Sequence, residues 1–114
     1  MRRKQLLYIN DIIKAIESIL AFTDGISVDE FINDDKTLSA VVRKLEIIGE
    51  AVKNLSIDIV TDNPDVPWSD MARMRDKLIH GYFGIDAEII WKVAREDMPN
   101  VLGQIVAIAE TIQD

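Results

Sequence analysis

The chain contains no cysteine and a single histidine, His80, among its 114 residues. Without cysteine it cannot form disulfides, thiolate metal sites or a thiol nucleophile. One histidine cannot build a multi-histidine metal cluster, so we expect no bound metal and no cofactor. Any acid–base chemistry near neutral pH therefore falls most naturally on His80, because imidazole is the side chain that ordinarily titrates there.

Positive charge is also scarce. There are 13 Lys and Arg residues against 20 Asp and Glu, which gives a net charge of −7. A protein that binds RNA broadly is normally basic. Residues 73–82 are an exception, because Arg73, Arg75 and Lys77 outnumber Asp76. We predict a local phosphate site here that favours a specific RNA, with Arg73 and Lys77 as RNA-binding candidates. Other basic groups that would complete the site are Arg2, Arg3 and Lys4, or Arg43, Lys44 and Lys53.

Long apolar runs are absent as well. Apolar residues make up 48% of the chain but never form a run long enough to span a bilayer, and the charged first residues lack the apolar core of a signal peptide. We expect a cytoplasmic protein that does not contact a membrane. Residues 1–114 should form one domain with a modest core, which oligomerisation would help to stabilise.

The apolar residues recur at steps of three and four, which predicts an all-α fold. We expect an antiparallel bundle of four to five main helices, with the first two long helices packed against each other. Gly81 should end the helix that carries residues 73–80 by taking a left-handed conformation, and Pro99 should kink or divide the last segment. The predicted helices are residues 3–23, a short helix opened by a Ser27–Glu30 capping box, 36–55 capped by Asp34 or Asp35, a short helix after Ser56, 69 to about 81, and 87–112 capped by Asp86.

The candidate catalytic residues are Arg75, Asp76, His80 and Tyr82. Arginine supplies a permanent forked charge suited to phosphate, and tyrosine supplies a hydroxyl. On a regular helix Arg75 and His80 lie about 140° apart in azimuth and about 7.5 Å apart along the axis, so they would not touch. Either the helix unwinds at His80-Gly81 or two chains share the site. Asp76 and His80 share a face and can form a hydrogen bond. The alternative is that these are ordinary surface residues.

The segment Met74–Tyr82 resembles the signature of the HepT-type toxins, which belong to the HEPN superfamily of small helical nucleases. In that family the pattern is arginine, four residues, histidine, one residue and tyrosine, which matches Arg75, His80 and Tyr82. Asp76 stands where relatives carry a polar residue. The first helix and three further segments are similar in order and spacing, so the resemblance covers nearly the whole chain. These segments are residues 47–56, 63–68 and 89–99.

The resemblance implies a symmetric homodimer whose two motifs face one cleft. It also implies the toxin of a type II toxin–antitoxin system, with a minimal nucleotidyltransferase antitoxin that attaches adenylate to Tyr82. The expected activity is metal-independent RNA cleavage. His80 would take the proton of a ribose 2′-hydroxyl, Arg75 would stabilise the phosphoryl charge, and Asp76 would orient His80. DNA lacks the 2′-hydroxyl and should be inert.

Two other functions stay open at this point. One is a noncatalytic helical subunit that binds a nucleotide or substrate for a nucleotidyltransferase. The other is a plain dimeric scaffold. An RNA cleavage assay separates these from a ribonuclease.

Four further features of the sequence have structural interpretations. We expect Trp68 and Trp91 to fill the core or an interface, and Gly49 to permit close helix packing. We expect Glu46 and Glu50 to form a solvated ion-pair face with nearby basic residues. The apolar stripe of the last segment favours packing on another helix, including a dimer interface.

Overall fold

The computed structural model describes residues 2–81 and 86–112 and contains no β-strand within those ranges. The predicted all-α fold is therefore confirmed, and every predicted helix is present within about two residues of its expected ends. The elements in chain order are α1 (Arg2–Thr23), α2 (Val28–Ile32), α3 (Asp35–Lys53), α4 (Ile57–Asp62), α5 (Trp68–His80), α6 (Ala87–Lys92), a π-helix (Val93–Asp97) and α7 (Met98–Thr111).

Polar side chains fix the starts of the helices, as the sequence predicts. In the capping box of α2, the Glu30 backbone N–H donates to Ser27 Oγ at 3.1 Å and the Ser27 N–H donates to Glu30 Oε1 at 2.9 Å. Asp34, and not Asp35, caps α3 by accepting from the backbone N–H of Thr37 at 3.1 Å. Hydrogen bonds from the side chain and backbone of Thr37 lower the pKa of Asp34.

The core lies between α1, α3 and α7. Ile9, Ile12, Ile16 and Ile19 form a fully buried face of α1, which packs against both α3 and α7. The Ser56 backbone N–H, just beyond α3, donates to Gln5 Oε1 near the start of α1 at 2.7 Å. That contact joins the first turn of α1 to the end of α3, as the predicted antiparallel pairing requires.

The last helical segment is divided ahead of Pro99, as expected. The Met98 N–H donates to the Val93 carbonyl, a step of five residues that defines the π-helix. Proline lacks an N–H and its ring clashes with the preceding turn of an α-helix, so a wider turn before Pro99 accommodates it. α7 then begins with Pro99 in its first turn, where a missing N–H costs little.

The apolar stripe of this segment is buried inside the protomer against α1. Its use as a dimer interface, one of the two options the sequence allowed, is therefore wrong. The protomer itself needs these side chains to complete its core. The buried members are Ala94, Met98, Val101, Ile105, Ile108 and Ile112.

Two glycines that follow helices differ in backbone conformation. Gly25 follows α1 with φ +75°, the left-handed conformation typical of a helix stop. Gly81 caps the end of α5 but has φ −129°, so the expected left-handed conformation is wrong there. Its N–H still donates to the Lys77 carbonyl at 2.8 Å, which completes the last turn of α5.

Both tryptophans are structural, in agreement with the sequence interpretation. Trp68 is buried, and its Nε1–H donates to the Asn63 carbonyl at 2.9 Å. Trp91 packs on the buried Phe31 with ring centroids 5.2 Å apart. Among the helices described, none is both long and apolar enough to cross a bilayer.

Gly49 brings α3 and α5 into close contact, as predicted. A Cβ atom at this position would lie 2.2 Å from Arg75 Cβ and 2.8 Å from the Met71 carbonyl oxygen. These separations are too short for any side chain, so the helix spacing at Arg75 depends on glycine.

We expect Gly49→Ala to destabilise the fold by about 2 kcal/mol, because overpacking outweighs the gain in helix propensity. Urea unfolding monitored by circular dichroism measures the change. Gly103→Ala is the matched control, since no atom lies within 4 Å of a Cβ built there; it should be neutral or slightly stabilising. Equal behaviour of the two variants would contradict the close approach.

Candidate active site around Arg75 and His80

α5 carries Arg75, Asp76 and His80, three of the four candidate catalytic residues, and is anchored by its buried residues Trp68, Met71 and Leu78. It remains helical through His80 and departs from helical conformation at Gly81, so the chain unwinds only at the second residue of the His80-Gly81 pair. Arg75 packs against α3, whereas His80 is exposed at the last residue of the helix. No hydrogen bond joins the two side chains within the part of the chain that the structure describes.

The guanidinium of Arg75 is fixed by two carboxylates. Its Nη2 lies 3.0 Å from Glu50 Oε2 on α3, and its Nη1 donates to Asp76 Oδ1 at 3.0 Å. The side chain is only 25% exposed. Its Nε is buried and has no hydrogen-bond partner among the residues that the structure describes. Arg75 is therefore a partly desolvated cation with a defined orientation, which strengthens its interaction with an anion.

Asp76 accepts hydrogen bonds from Lys53 Nζ and from Arg75. The expected hydrogen bond between Asp76 and His80 is not made. Lys53 and Arg75 form charge-assisted hydrogen bonds with the Asp76 carboxylate instead, and such bonds are stronger. Lys53 first, and then Arg75, lowers the pKa of Asp76 below its ordinary value of 3.8. The folded protein therefore favours the ionised form of Asp76. The ion pairs of Asp76 with Lys53 and Arg75 stabilise the fold above pH 3.8 and are lost as the pH falls and Asp76 is protonated.

Sequence reasoning missed Glu50 as a site residue. Glu46 does pair with Arg43 at 3.4 Å, as expected for a solvated ion-pair face. Glu50 instead reaches across to Arg75 on α5. The sequence did contain a signal for this contact. Glu50 and Lys53 on α3 have charges opposite to those of Arg75 and Asp76 on α5, with which they pair. The neighbouring Gly49 permits the two helices to approach closely.

The remaining candidate residues lie apart from this cluster. Arg73 is exposed and pairs with Asp70 at 2.7 Å, and Lys77 is exposed on the same helix. Tyr82 lies outside the described residues. The structure therefore brings together Arg75, Asp76, Glu50 and Lys53. Among the described residues, the exposed His80 has no hydrogen bond or ion pair with this cluster.

Two depressions flank α5. The smaller, which we call the Arg75 groove, has a volume of about 230 Å³ and lies where α1, α3 and α5 meet; its lining includes Tyr8, Glu50 and Arg75. The larger, about 390 Å³, is lined by Met71, Met74 and residues of α3, the π-helix and α7. The lining given for the larger depression contains none of the candidate catalytic residues, whereas Arg75 lines the smaller one. The Arg75 groove is therefore the candidate active site.

Residues 12–108 match the family model described as "Ribonuclease HepT-like". The chain belongs to this family. The match spans Arg75, Asp76, His80 and Tyr82, so the resemblance stated from the sequence is confirmed. No solved structure matches this HepT-like chain.

Relatives of this HepT-like chain are similar over most of their length. A protein of Thermococcus cleftensis named "Probable ribonuclease HepT" is 50% identical over 104 residues, covering 91% of this chain and 94% of the relative. A Methanocaldococcus jannaschii protein named "Putative RNase MJ0127" is 48% identical over 106 residues, covering 93% and 88%. One from Caldanaerobacter subterraneus subsp. tengcongensis, named "Putative RNase TTE0752", is 41% identical over 103 residues, covering 90% and 92%.

Proposed function

We propose that this HepT-like protein is a metal-independent endoribonuclease. The observation that carries the proposal is the orientation of Arg75, which Glu50 and Asp76 hold at the edge of the Arg75 groove. The exposed His80 follows Arg75 by five residues on the same helix. The relatives named as ribonucleases support the reaction class. A fixed guanidinium suits a phosphodiester, and an accessible imidazole suits proton transfer.

In the proposed reaction, neutral His80 accepts the proton of a ribose 2′-hydroxyl. The 2′-oxygen then bonds to the adjacent phosphorus, and the bond from phosphorus to the 5′-oxygen breaks. The departing 5′-oxygen takes a proton, which leaves a 5′-hydroxyl and a 2′,3′-cyclic phosphate. Arg75 stabilises the negative charge that grows on the phosphoryl oxygens. Asp76 and Glu50 position Arg75, and Arg73 and Lys77 bind neighbouring phosphates.

Cleavage of a single-stranded RNA in the presence of EDTA tests this proposal directly. Purified protein should cut the RNA at the same rate with and without the chelator, and should leave DNA of the same sequence intact. A rate that falls to background in EDTA would refute the metal-independent reaction. Cleavage of the DNA would refute attack by the 2′-hydroxyl.

We also propose that two copies complete the site as a symmetric homodimer, since Arg75 and His80 do not meet on one helix. Exposed apolar side chains near the motif, among them Ile79, would lie at the interface. Light scattering should report a dimer at micromolar concentration, and Ile79→Glu should shift it toward monomer. Val106→Glu is the control, with 38% exposure against 37% for Ile79. A wild-type monomer would contradict this assembly.

As the toxin of a toxin–antitoxin pair, the protein would be controlled at Tyr82. A minimal nucleotidyltransferase with ATP and magnesium should add adenylate to Tyr82, and cleavage should fall because the added phosphate competes for Arg75 and repels RNA. Mass spectrometry should find the adenylate in wild-type protein and not in Tyr82→Phe.

Tyr8 is the other tyrosine of the chain, so Tyr8→Phe is a matched control that should still be modified. Adenylate on Tyr8 alone would contradict the proposal that modification of Tyr82 regulates the enzyme. So would a modified protein that cleaves RNA at the unmodified rate.

A further inference from the structure

The Arg75 groove has room for one planar ring system. Its volume of about 230 Å³ equals that of roughly seven or eight water molecules at about 30 Å³ each. Ile47 and Ile79 give it apolar walls, and the half-buried ring of Tyr8 lines it from α1. Single-stranded RNA is recognised in this way, by bases that leave the stack and pack on aromatic side chains.

The charges in the groove select which part of an RNA can enter. Its lining includes the carboxylates of Asp11, Glu46 and Glu50. Arg43 pairs with Glu46, and Arg75 pairs with Glu50. Asp11 has no ion pair or hydrogen bond within residues 2–81 and 86–112, so it is the acidic residue of the groove lining that has no direct cationic partner among the described residues. The charge of Asp11 disfavours a phosphate beside this residue and admits a neutral base there, whereas Arg75 attracts the phosphate.

An unpaired carboxylate distinguishes between the four bases. It offers two acceptor oxygens side by side and no donor. Guanine presents two neighbouring donors, N1–H and the N2 amino group, on its Watson–Crick edge. Adenine and cytosine present one amino group there, beside an acceptor nitrogen that a carboxylate repels, and uracil presents a single N–H between two carbonyl groups. Guanine is therefore the base that can bind Asp11 through two parallel hydrogen bonds.

We propose that the Arg75 groove is a nucleobase subsite that selects guanine. Asp11 binds the Watson–Crick edge of the base and Tyr8 packs on its face. Because Arg75 forms part of the groove wall, the phosphate attached to that nucleotide lies at its guanidinium, and the guanosine is adjacent to the cut. This inference rests on the ribonuclease function proposed above and specifies its substrate.

A degenerate single-stranded RNA pool tests the subsite. Purified wild-type protein digests the pool, and sequencing of the new ends gives the base frequency at each position around the cut. We expect guanine to be enriched at one position adjacent to the cut. Asp11→Asn should lower that enrichment about tenfold while total cleavage continues, because an amide replaces one acceptor with a donor. Glu17→Gln, an exposed acid on α1 outside the groove, should keep the enrichment.

The outcomes separate the two proposals. Cleavage without base preference, preference for another base, or guanine enrichment that survives in Asp11→Asn as in Glu17→Gln overturns the subsite and leaves the ribonuclease standing. Absence of any cleavage by wild-type protein defeats the ribonuclease proposal and this one with it. Thermal unfolding of each variant checks that the exposed substitutions leave the fold intact.

Discussion

Replacing His80 by alanine should lower RNA cleavage by about 1,000-fold, because the reaction loses its general base. The protein should still fold, since His80 is exposed at the last residue of α5 and α5 is anchored by Trp68, Met71 and Leu78. His80→Gln keeps a polar side chain of similar size but cannot exchange a proton near neutral pH, so it should be equally inactive. Cleavage rates and thermal unfolding of both variants measure these expectations.

A clear loss of stability in His80→Ala would show that the side chain is structural. Cleavage by His80→Gln at a rate near that of the wild type would show that hydrogen bonding, and not proton transfer, is the contribution of His80. The second result would require another general base, and the chain has no other histidine.

Arg75→Ala should have the second-largest effect, a loss of about 3 kcal/mol of transition-state stabilisation or about 150-fold in kcat/KM. Arg75→Lys should recover only part of this, because a point charge cannot bind Glu50, Asp76 and phosphate with the geometry of a fork. The loss should appear mainly in kcat, since the charge on the phosphoryl oxygens grows in the transition state.

Arg73→Ala is the matched control for Arg75→Ala, because the two arginines lie two residues apart on α5. Arg73 is exposed, pairs only with Asp70 among the described residues and is proposed to bind a neighbouring phosphate, so its removal should raise KM and change kcat by no more than about threefold. Equal losses in the two variants would contradict a special role for Arg75. Urea unfolding separates activity loss from instability, since Arg75→Ala also removes the cation that binds Glu50 and one of the two that bind Asp76.

The helices could be predicted from the sequence because the signals are local. Apolar residues at steps of three and four marked α1 and α3, and Ser27 and Asp34 marked two starts through bonds that span three residues. The division ahead of Pro99 also followed from proline alone. For the site, the family pattern identified Arg75 and His80 as candidates, and helix geometry predicted that they would not meet.

The contacts between helices could not be predicted in the same way. Glu50 bonds to Arg75 only because α3 and α5 approach closely at Gly49, and that register depends on the packing of both helices. The expected Asp76–His80 contact was reasonable within one helix. It does not form because Lys53 and Arg75 bind the carboxylate more strongly. The left-handed conformation expected at Gly81 was also wrong, because this glycine ends α5 with φ −129°.

The proposed reaction is tested most directly by the chemical ends of the RNA products. A labelled RNA is digested by purified protein in EDTA, and a second RNA carries a single 2′-deoxy nucleotide on the 5′ side of the mapped cut. We predict a 2′,3′-cyclic phosphate and a 5′-hydroxyl from the first RNA, and no cut at the substituted position of the second. A 5′-phosphate and 3′-hydroxyl, or undiminished cleavage at the 2′-deoxy position, would contradict attack by the ribose hydroxyl activated by His80.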